Sequence, residues 1–487
     1  MRARVNRRLC PVGAMTYAIA LSLPLAGCLL GSEKPEPGID IPTSYKEGPR
    51  NPKAADAAVP DIAWWRKFRS SELTAIIEEA REANLDIAVA VAQIVQADAQ
   101  ARIAGAPLLP GITLNGQAQH SRTSQSLGGS GSSFGGSESN NFQASLTASY
   151  EIDFWGKNRS ALRAVEETAI ASRYNREVVA LTTVVSVANT YFAVLAAQDR
   201  LRVAHENLTS ATRILKLIKD QFAAGTASDL NVAQQESLVN QVKATIPPLE
   251  ETLQQDRAAL ALLVGRPVEH VEVRGGSMRA IAIPRVTPGL PSELITQRPD
   301  IRQAEAQLAN ANANVENARA QLLPSITLTA EGGFESTVLK TLLRPESAFY
   351  TLTAGLTQPI FEGGKLLGNL DLQKGSQDQL LNAYRKAVIS GFTDVDQALI
   401  AVRQTARAEA ADREVVLSSR RAFDLSEQQL RAGTINLITL LQTEQTLFQA
   451  EDALAVARLA RLQAIVSLYR ALGGGWSPKP LETADAN

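Results

Sequence analysis

The sequence predicts a mainly α fold, internally duplicated, in which each chain supplies four strands to a transmembrane β-barrel and builds most of its mass from long coiled-coil helices. Three observations lead there. The segment QFAAGTASDLNVAQQESLVNQ from Gln221 lines up with QLRAGTINLITLLQTEQTLFQ from Gln429; Gly225 and Gly433 set the offset at 208, and the same offset pairs Leu262–Gly265 with Arg470–Gly473. Four stretches alternate apolar and polar residues with period two. Two others run without proline from Lys157 to Phe222 and from Lys365 to Leu430. Two like halves pack about a pseudo-symmetry axis, and each lacks what its twin or another copy must supply.

From the N-terminus, Arg2, Arg4, Arg7 and Arg8 followed by the apolar Ala14–Ala26 read as a signal peptide over 1–27. It ends in Leu25-Ala26-Gly27-Cys28, which resembles a bacterial lipoprotein box whose Cys becomes the acylated N-terminus. Leu29, not Asp, follows, as in the outer-membrane sorting pattern. Residues 28–69 then form a lipidated, extended lead-in. Cys10 leaves with the leader, so no thiol pair remains for a disulfide or a zinc site. Losing the four arginines takes the formal charge from −1 to −5, which offers no basic field to nucleic acid. No apolar run after Cys28 reads as a membrane helix of ~20 residues, so any crossing uses strands.

The first repeat spans 70–265. A helix from Ser70 to Ala104 ends before Leu109-Pro110, because proline disfavours helix in the residue before it. Strands follow at about 111–121 and 142–154. The second alternates throughout, with Phe142, Ala144, Leu146, Ala148, Tyr150, Ile152 and Phe154 on one face and Gln143, Ser145, Thr147, Ser149, Glu151 and Asp153 on the other. Between them Ser121–Asn141 is Gly/Ser-rich and aperiodic, an exposed turn; no Gly-Lys-Ser/Thr makes it a phosphate cradle. The long helix carries two adjacent apolar seams, Val184/Val187/Tyr191/Val194 and Val185/Ala188/Phe192/Leu195, so it meets neighbours on two sides. A tip at 223–228 leads to a return helix that Pro247-Pro248 interrupts.

After a connector at 266–291 the second repeat spans 292–475: a helix from Ser292 to Leu322, strands at about 325–335 and 350–361, a long helix with the seam Val388, Phe392, Val395, Leu399, Val402, Ala406, a tip at 431–436 and a return helix from Ile435 to Leu472. A tail covers 476–487. Each strand has about the length and the two-faced character of an outer-membrane barrel strand, or of a soluble sheet with one wet face. Four cannot close a transmembrane barrel, since closed barrels start at ~8 strands and lipid tolerates no open edge. Two copies give eight strands with a filled interior, and three give twelve with room for a pore. The long helices, at 1.5 Å per residue, extend roughly 100 Å and need lateral partners throughout, as a ring-shaped wall or as a solid bundle.

These residues resemble the TolC-type outer-membrane efflux channels, in the lipoprotein branch that includes OprM and NodT. The marks are Trp64-Trp65, Arg298-Pro299-Asp300-Ile301 with Ala304-Glu305, the two Leu-Pro strand entries, the paired Ala-Gly-Thr tips, and Tyr469-Arg470-Ala471-Leu472-Gly473-Gly474-Gly475-Trp476. The resemblance implies a homotrimer with a twelve-stranded barrel in the outer membrane and a periplasmic α-helical barrel. It implies an exit duct for small molecules such as drugs and toxic compounds, working with a periplasmic adaptor and an inner-membrane transporter of the resistance-nodulation-division class, and needing no cofactor beyond the covalent lipid on Cys28. The same fold also serves type I secretion of polypeptides, and a soluble coiled-coil scaffold would share the helices. The Cys28 tetrad favours the pump branch, and the strands argue against the scaffold. No nucleophile–base constellation or metal-ligand spacing is present, and His120, His205 and His270 are scattered, so the chain reads as no enzyme and no metal protein.

By resemblance, the tips Ala224-Gly225-Thr226 and Ala432-Gly433-Thr434 dock the adaptor's helical hairpins. Glycine allows the tight turn and Thr is expected to cap the following helix. The family's Arg two places before the tip glycine is kept as Arg431 and replaced by Ala223 in the first half. The OprM-like gate pattern Tyr-Leu-Thr-Leu-Leu-Asp-Ala-Gln-Arg corresponds here to Leu437-Ile438-Thr439-Leu440-Leu441-Gln442-Thr443-Glu444-Gln445. Ile438 thus keeps an apolar ring, and Gln442 replaces the acidic one. Alternatively, Ile438 and Leu441 are seam residues of a coiled coil.

Overall fold

The computed structural model describes residues 36–42, 44–46, 61–122, 124, 138–286 and 291–476. Cys28, the leader, the tail and most of the Gly/Ser-rich turn lie outside them. The eight helices of that description are α1 (Ser71–Ala83), α2 (Leu85–Gly105), α3 (Lys157–Ala223), α4 (Asp229–Val264), α5 (Pro291–Gln297), α6 (Pro299–Ala320), α7 (Lys365–Arg431) and α8 (Leu437–Ala471). The strands are β1 (Gly111–Arg122), β2 (Glu138–Ile152), β3 (Ser325–Ser336) and β4 (Ala348–Thr357). The chain divides into two compact units: one holds 94–171 and 304–384, the other 38–93, 172–303 and 385 onward.

In the first unit the strands form one antiparallel sheet in the order β1-β2-β3-β4, so the hairpins of the two repeats join through β2 and β3. The register segregates the faces. Leu114 lies opposite Leu146, Leu146 opposite Gly332 and Gly332 opposite Tyr350, while Thr113 faces Thr147, Thr147 faces Glu331 and Glu331 faces Thr351. One face is thus apolar across all four strands and strongly exposed at Leu114, Tyr350, Leu352 and Leu356. The other is polar and bonded to itself, Gln143 donating to Glu331 at 3.2 Å and Asn141 to Glu335 at 3.0 Å. β4 stops at Thr357, short of the expected 361, because Pro359 has no N–H for a ladder and the Gln358 side chain instead donates to the Leu322 carbonyl. β2 ends at Ile152. Asp153 is then free to accept from the backbone N–H groups of Asn158 and Arg159, at 3.0 and 2.9 Å, in the first turn of α3.

In the second unit both seams of α3 are buried. Val184, Val187, Tyr191 and Val194 and their neighbours Val185, Ala188, Phe192 and Leu195 form the principal core with Trp64, Trp65, Phe68 and Tyr469. α3 does contain a window long and apolar enough for a membrane span, contrary to the sequence expectation, but half of that window is packed inside the protein. Its apolarity serves the core. The lead-in is not extended throughout, since Trp64–Phe68 forms a 3-10 turn that stacks Trp64 on Tyr469 with ring centroids 4.8 Å apart. Over the stretch of α7 from 388 to 406 the buried positions are Val388, Gly391, Val395 and Ala398. Val388 and Val395 are thus where the expected seam put them, while Phe392 and Leu399 are partly buried and pack beside Gly391 and Ala398, which take the deepest places in the alternate turns.

Two expected helices are each two helices. Asn84 breaks the first with extended ψ; its Nδ2 donates to the Leu263 carbonyl at 2.8 Å and its Oδ1 caps the Ile87 N–H at 3.0 Å. Arg298 breaks the second before Pro299, its guanidinium donating to the Ala471 carbonyl and pairing with Asp300 and Asp394. A return helix ends against each break. Gly265 and Gly473, both at positive φ, sit where an added Cβ would lie 2.4 Å from the Ala83 carbonyl oxygen and 2.7 Å from that of Gln297. The paired Leu-Val-Gly and Ala-Leu-Gly ends of the repeats therefore have one cause. Finally, α4 continues through Pro247-Pro248 without the expected interruption. Around the pair, two threonine hydroxyls bond back along the helix: Thr245 Oγ1 donates to the Val242 carbonyl and Thr252 Oγ1 to that of Pro248.

Candidate functional site

The long helices turn at the tips by the same device. After α3, Gly225 adopts φ +77°, its N–H donates to Phe222 O at 2.9 Å and the Thr226 N–H to Gln221 O at 2.8 Å; after α7, Gly433 at φ +73° and Thr434 repeat this with Leu430 and Gln429 at 3.0 and 2.9 Å. This pair of bonds is the Schellman closure, which satisfies carbonyls the helix end would leave unpaired. The threonines do not cap the following helices as expected. Their hydroxyls turn back to the same Gln221 and Gln429 carbonyls, and the caps are Ser228 and Asn436, which accept from Asn231 and Thr439. Ala224, Gly225, Thr226, Arg431, Ala432, Gly433 and Thr434 are all exposed, and an added Cβ at either tip glycine would meet nothing.

Arg431 is tethered sideways: it pairs with Glu427 at 2.7 Å, and Glu427 also takes a bidentate contact from Arg213 of α3. Hydrogen bonds from Arg213 hold the Glu427 carboxyl down to about 2, against a smaller upward push from burial. Behind the tips, all four long helices meet in a small apolar cluster of Ile214, Ile218, Phe423, Leu430, Leu437, Leu440 and Leu447, with Val232 packed on it. Over the first three turns of α8 the buried positions are Leu437, Leu440, Glu444 and Leu447, a coiled-coil spacing. Ile438 stands outside that seam at 50% exposure, and Gln442, one turn on, is exposed as well. Ile438 is therefore no seam residue within the chain, while Leu441 is half-buried.

Glu444 escaped the sequence reading, although a carboxylate at a seam position was the signal. It is 0% exposed, as is Gln235 of α4, whose Nε2 donates to the Ala211 carbonyl at 3.1 Å and reaches Glu444 Oε2 at 3.5 Å. Elsewhere the core acids are neutralised: Glu409 takes Arg413, Arg458 and Arg461, and Arg458 also donates to the carbonyls of Met278 and Ile281 in the connector. Among the described residues no group of His, Cys, Asp and Glu is arranged to hold a metal ion.

The outer membrane efflux protein family matches residues 76–266 and 290–474, one stretch for each repeat. The chain belongs to that family. It is an outer-membrane duct for efflux of small molecules. The pyoverdine export outer membrane protein OpmQ of Pseudomonas putida is 41% identical over 460 residues, covering 93% of this chain and 97% of that protein. The solvent efflux pump outer membrane protein SrpC of Pseudomonas putida is 32% identical over 462 residues, covering 93% and 97%. The solved outer-membrane channel OprN shares the fold with a TM-score of 0.85 over 92% of this chain and all of that one, at 23% identity.

Proposed function

We propose that three copies of the chain close a twelve-stranded barrel in the outer membrane and that the long helices continue it as a periplasmic duct. The supporting observation is the sheet: its four strands present one face that is apolar from Ile112 to Ala118 of β1 across to Tyr350–Leu356 of β4, and one polar face, and β1 and β4 each pair on one side only among the described residues. Lipid leaves no edge unpaired, so other copies must supply the next strands. The duct is passive. It performs no covalent chemistry on cargo and uses no cofactor.

In this reading Cys28 carries a covalent lipid in the inner leaflet of the outer membrane. The exposed tips, Ala224-Gly225-Thr226 and Arg431-Ala432-Gly433-Thr434, dock the hairpins of a periplasmic adaptor that links the duct to a proton-driven inner-membrane transporter of the resistance-nodulation-division class. Ile438 and Gln442 point away from the intrachain seam and form stacked constrictions where three copies of α8 converge. The 41% relative is named for pyoverdine export and the 32% relative for solvent efflux, and we place the cargo nearer the former, among small molecules of the pyoverdine kind. Deleting the gene and measuring pyoverdine-like product retained in the periplasm tests the cargo class; equal export without the gene removes it. Ile438→Ala is expected to raise resting single-channel conductance in planar bilayers, and unchanged conductance places closure at other residues.

A further inference from the structure

Glu444 and Gln235 pose a problem that an efflux duct does not by itself explain. Both side chains are wholly buried, and one oxygen of each, Glu444 Oε1 and Gln235 Oε1, has no hydrogen-bond donor. The Gln235 amide joins three helices, since it donates to the α3 backbone at Ala211 and lies against Glu444 of α8 from its own place on α4. An ionised Glu444 would rest on one long contact of 3.5 Å within an apolar cluster, which is a costly place for a charge. A proton removes the charge and turns one of two unpartnered buried acceptors into a donor.

The surrounding charges do not replace that proton. On α3, Arg213 is committed to Glu427 of α7, and Glu427 also pairs with Arg431. Beside Gln235 on α4, Glu236 pairs with Lys219 of α3 at 2.7 Å. Further along α8, Glu451 pairs with Arg420. Burial pushes the Glu444 carboxyl up to about 7; Gln235 and Arg213 pull it down, and Glu427 adds a small upward push.

We propose that Glu444 is a proton-operated clasp: protonated, it holds α8 against α3 and α4 behind the tips, and ionised, it drives that contact apart so that the tip end loosens. The clasp rests on reading the tips as the closing end of the duct. The tight state binds the proton more strongly than a loosened, hydrated one, where the carboxyl returns to its ordinary 4.5. Raising the pH therefore disfavours the tight state between about 4.5 and about 7, by up to ten-fold per pH unit, and has no further effect above that.

Leu440 is fully buried in the same seam one turn before Glu444, so a cysteine there reports loosening. In the detergent-solubilised full-length protein, the rate of maleimide labelling of Leu440→Cys, read by peptide mass, is divided by the rate of the same cysteine in Glu444→Gln. The division cancels the thiol's own titration. The expected ratio climbs toward ten-fold per unit from about pH 4.5 and levels near 7. A ratio flat with pH overturns the clasp, as does fast labelling of the Gln variant at every pH. Leu447→Cys, in the same seam, serves if Leu440→Cys fails to assemble. Conductance measured alongside separates the clasp from the reading it rests on: labelling that rises with pH while conductance stays flat supports the clasp and shows that loosening the seam does not open the duct.

Discussion

At the scale of single residues, the two acids behind the tips respond to pH in opposite senses. Glu427, held at about 2, contributes stability that is present above the ordinary 4.5 and lost as pH falls through its lowered value. Glu444, pushed up to about 7, favours the packed state fully below 4.5 and ceases to as pH rises to about 7. The tip is accordingly tightest near mildly acidic pH. Glu427→Gln should remove the acid-side loss in a thermal unfolding series and leave the upper limb unchanged. Arg298 is the other decisive residue. Its guanidinium, itself nearly buried, satisfies the Ala471 carbonyl and pairs with Asp300 and Asp394, whose carboxylates still reach water, so Arg298→Ala strands chiefly the carbonyl. We expect it to cost about 2 kcal/mol, measured in denaturant unfolding, and Arg298→Lys to recover only part, because an ammonium cannot make the same planar fork.

At the scale of elements, what was legible in the sequence is what repeats or alternates. The ends of α3 and α7 lie within a residue of those expected, because proline-free, helix-favouring runs bounded by glycine leave no alternative. Strand faces followed from period two, since a one-residue slip would reverse every side chain. The breaks at Asn84 and Arg298 were not legible: neither residue stops a helix alone, and each does so by bonding to a distant carbonyl, Leu263 or Ala471. Pro247-Pro248 erred the other way, since packing along α4 overrides a local penalty of ~3 kcal/mol. The four glycines that end long helices divide by surroundings. Gly225→Ala and Gly433→Ala meet open space and should cost only the left-handed strain of about 1–2 kcal/mol, whereas Gly265→Ala and Gly473→Ala also collide with backbone and should lower the melting temperature well beyond that. Equal losses at all four would show that the helix breaks yield easily.

At the scale of the whole molecule, the face pattern decides how many copies complete the barrel. The polar face carries Glu331, Glu335, Gln143 and Asn141, with glutamates bonded to neutral amides of the next strand. In an eight-stranded closure the interior is filled by side chains, and doubling this set inside it would bury several carboxylates against one another. Twelve strands leave room for water, which solvates them, while the apolar face with Leu146, Leu352 and Tyr350 turns to lipid. The same reasoning separates substitutions by parity: Leu146→Lys places a charge in lipid at a cost of about 2–4 kcal/mol and should reduce barrel assembly, whereas Thr147→Lys, next in sequence, faces the lumen and should assemble and lower cation conductance. Native mass spectrometry of the membrane-extracted protein should show three chains, and cysteines scanned along β1 and β4 should cross-link neighbouring copies into a ladder that stops at three. A stable dimer, or Leu146→Lys assembling as well as Thr147→Lys, would mean that the sheet does not close in lipid in this way.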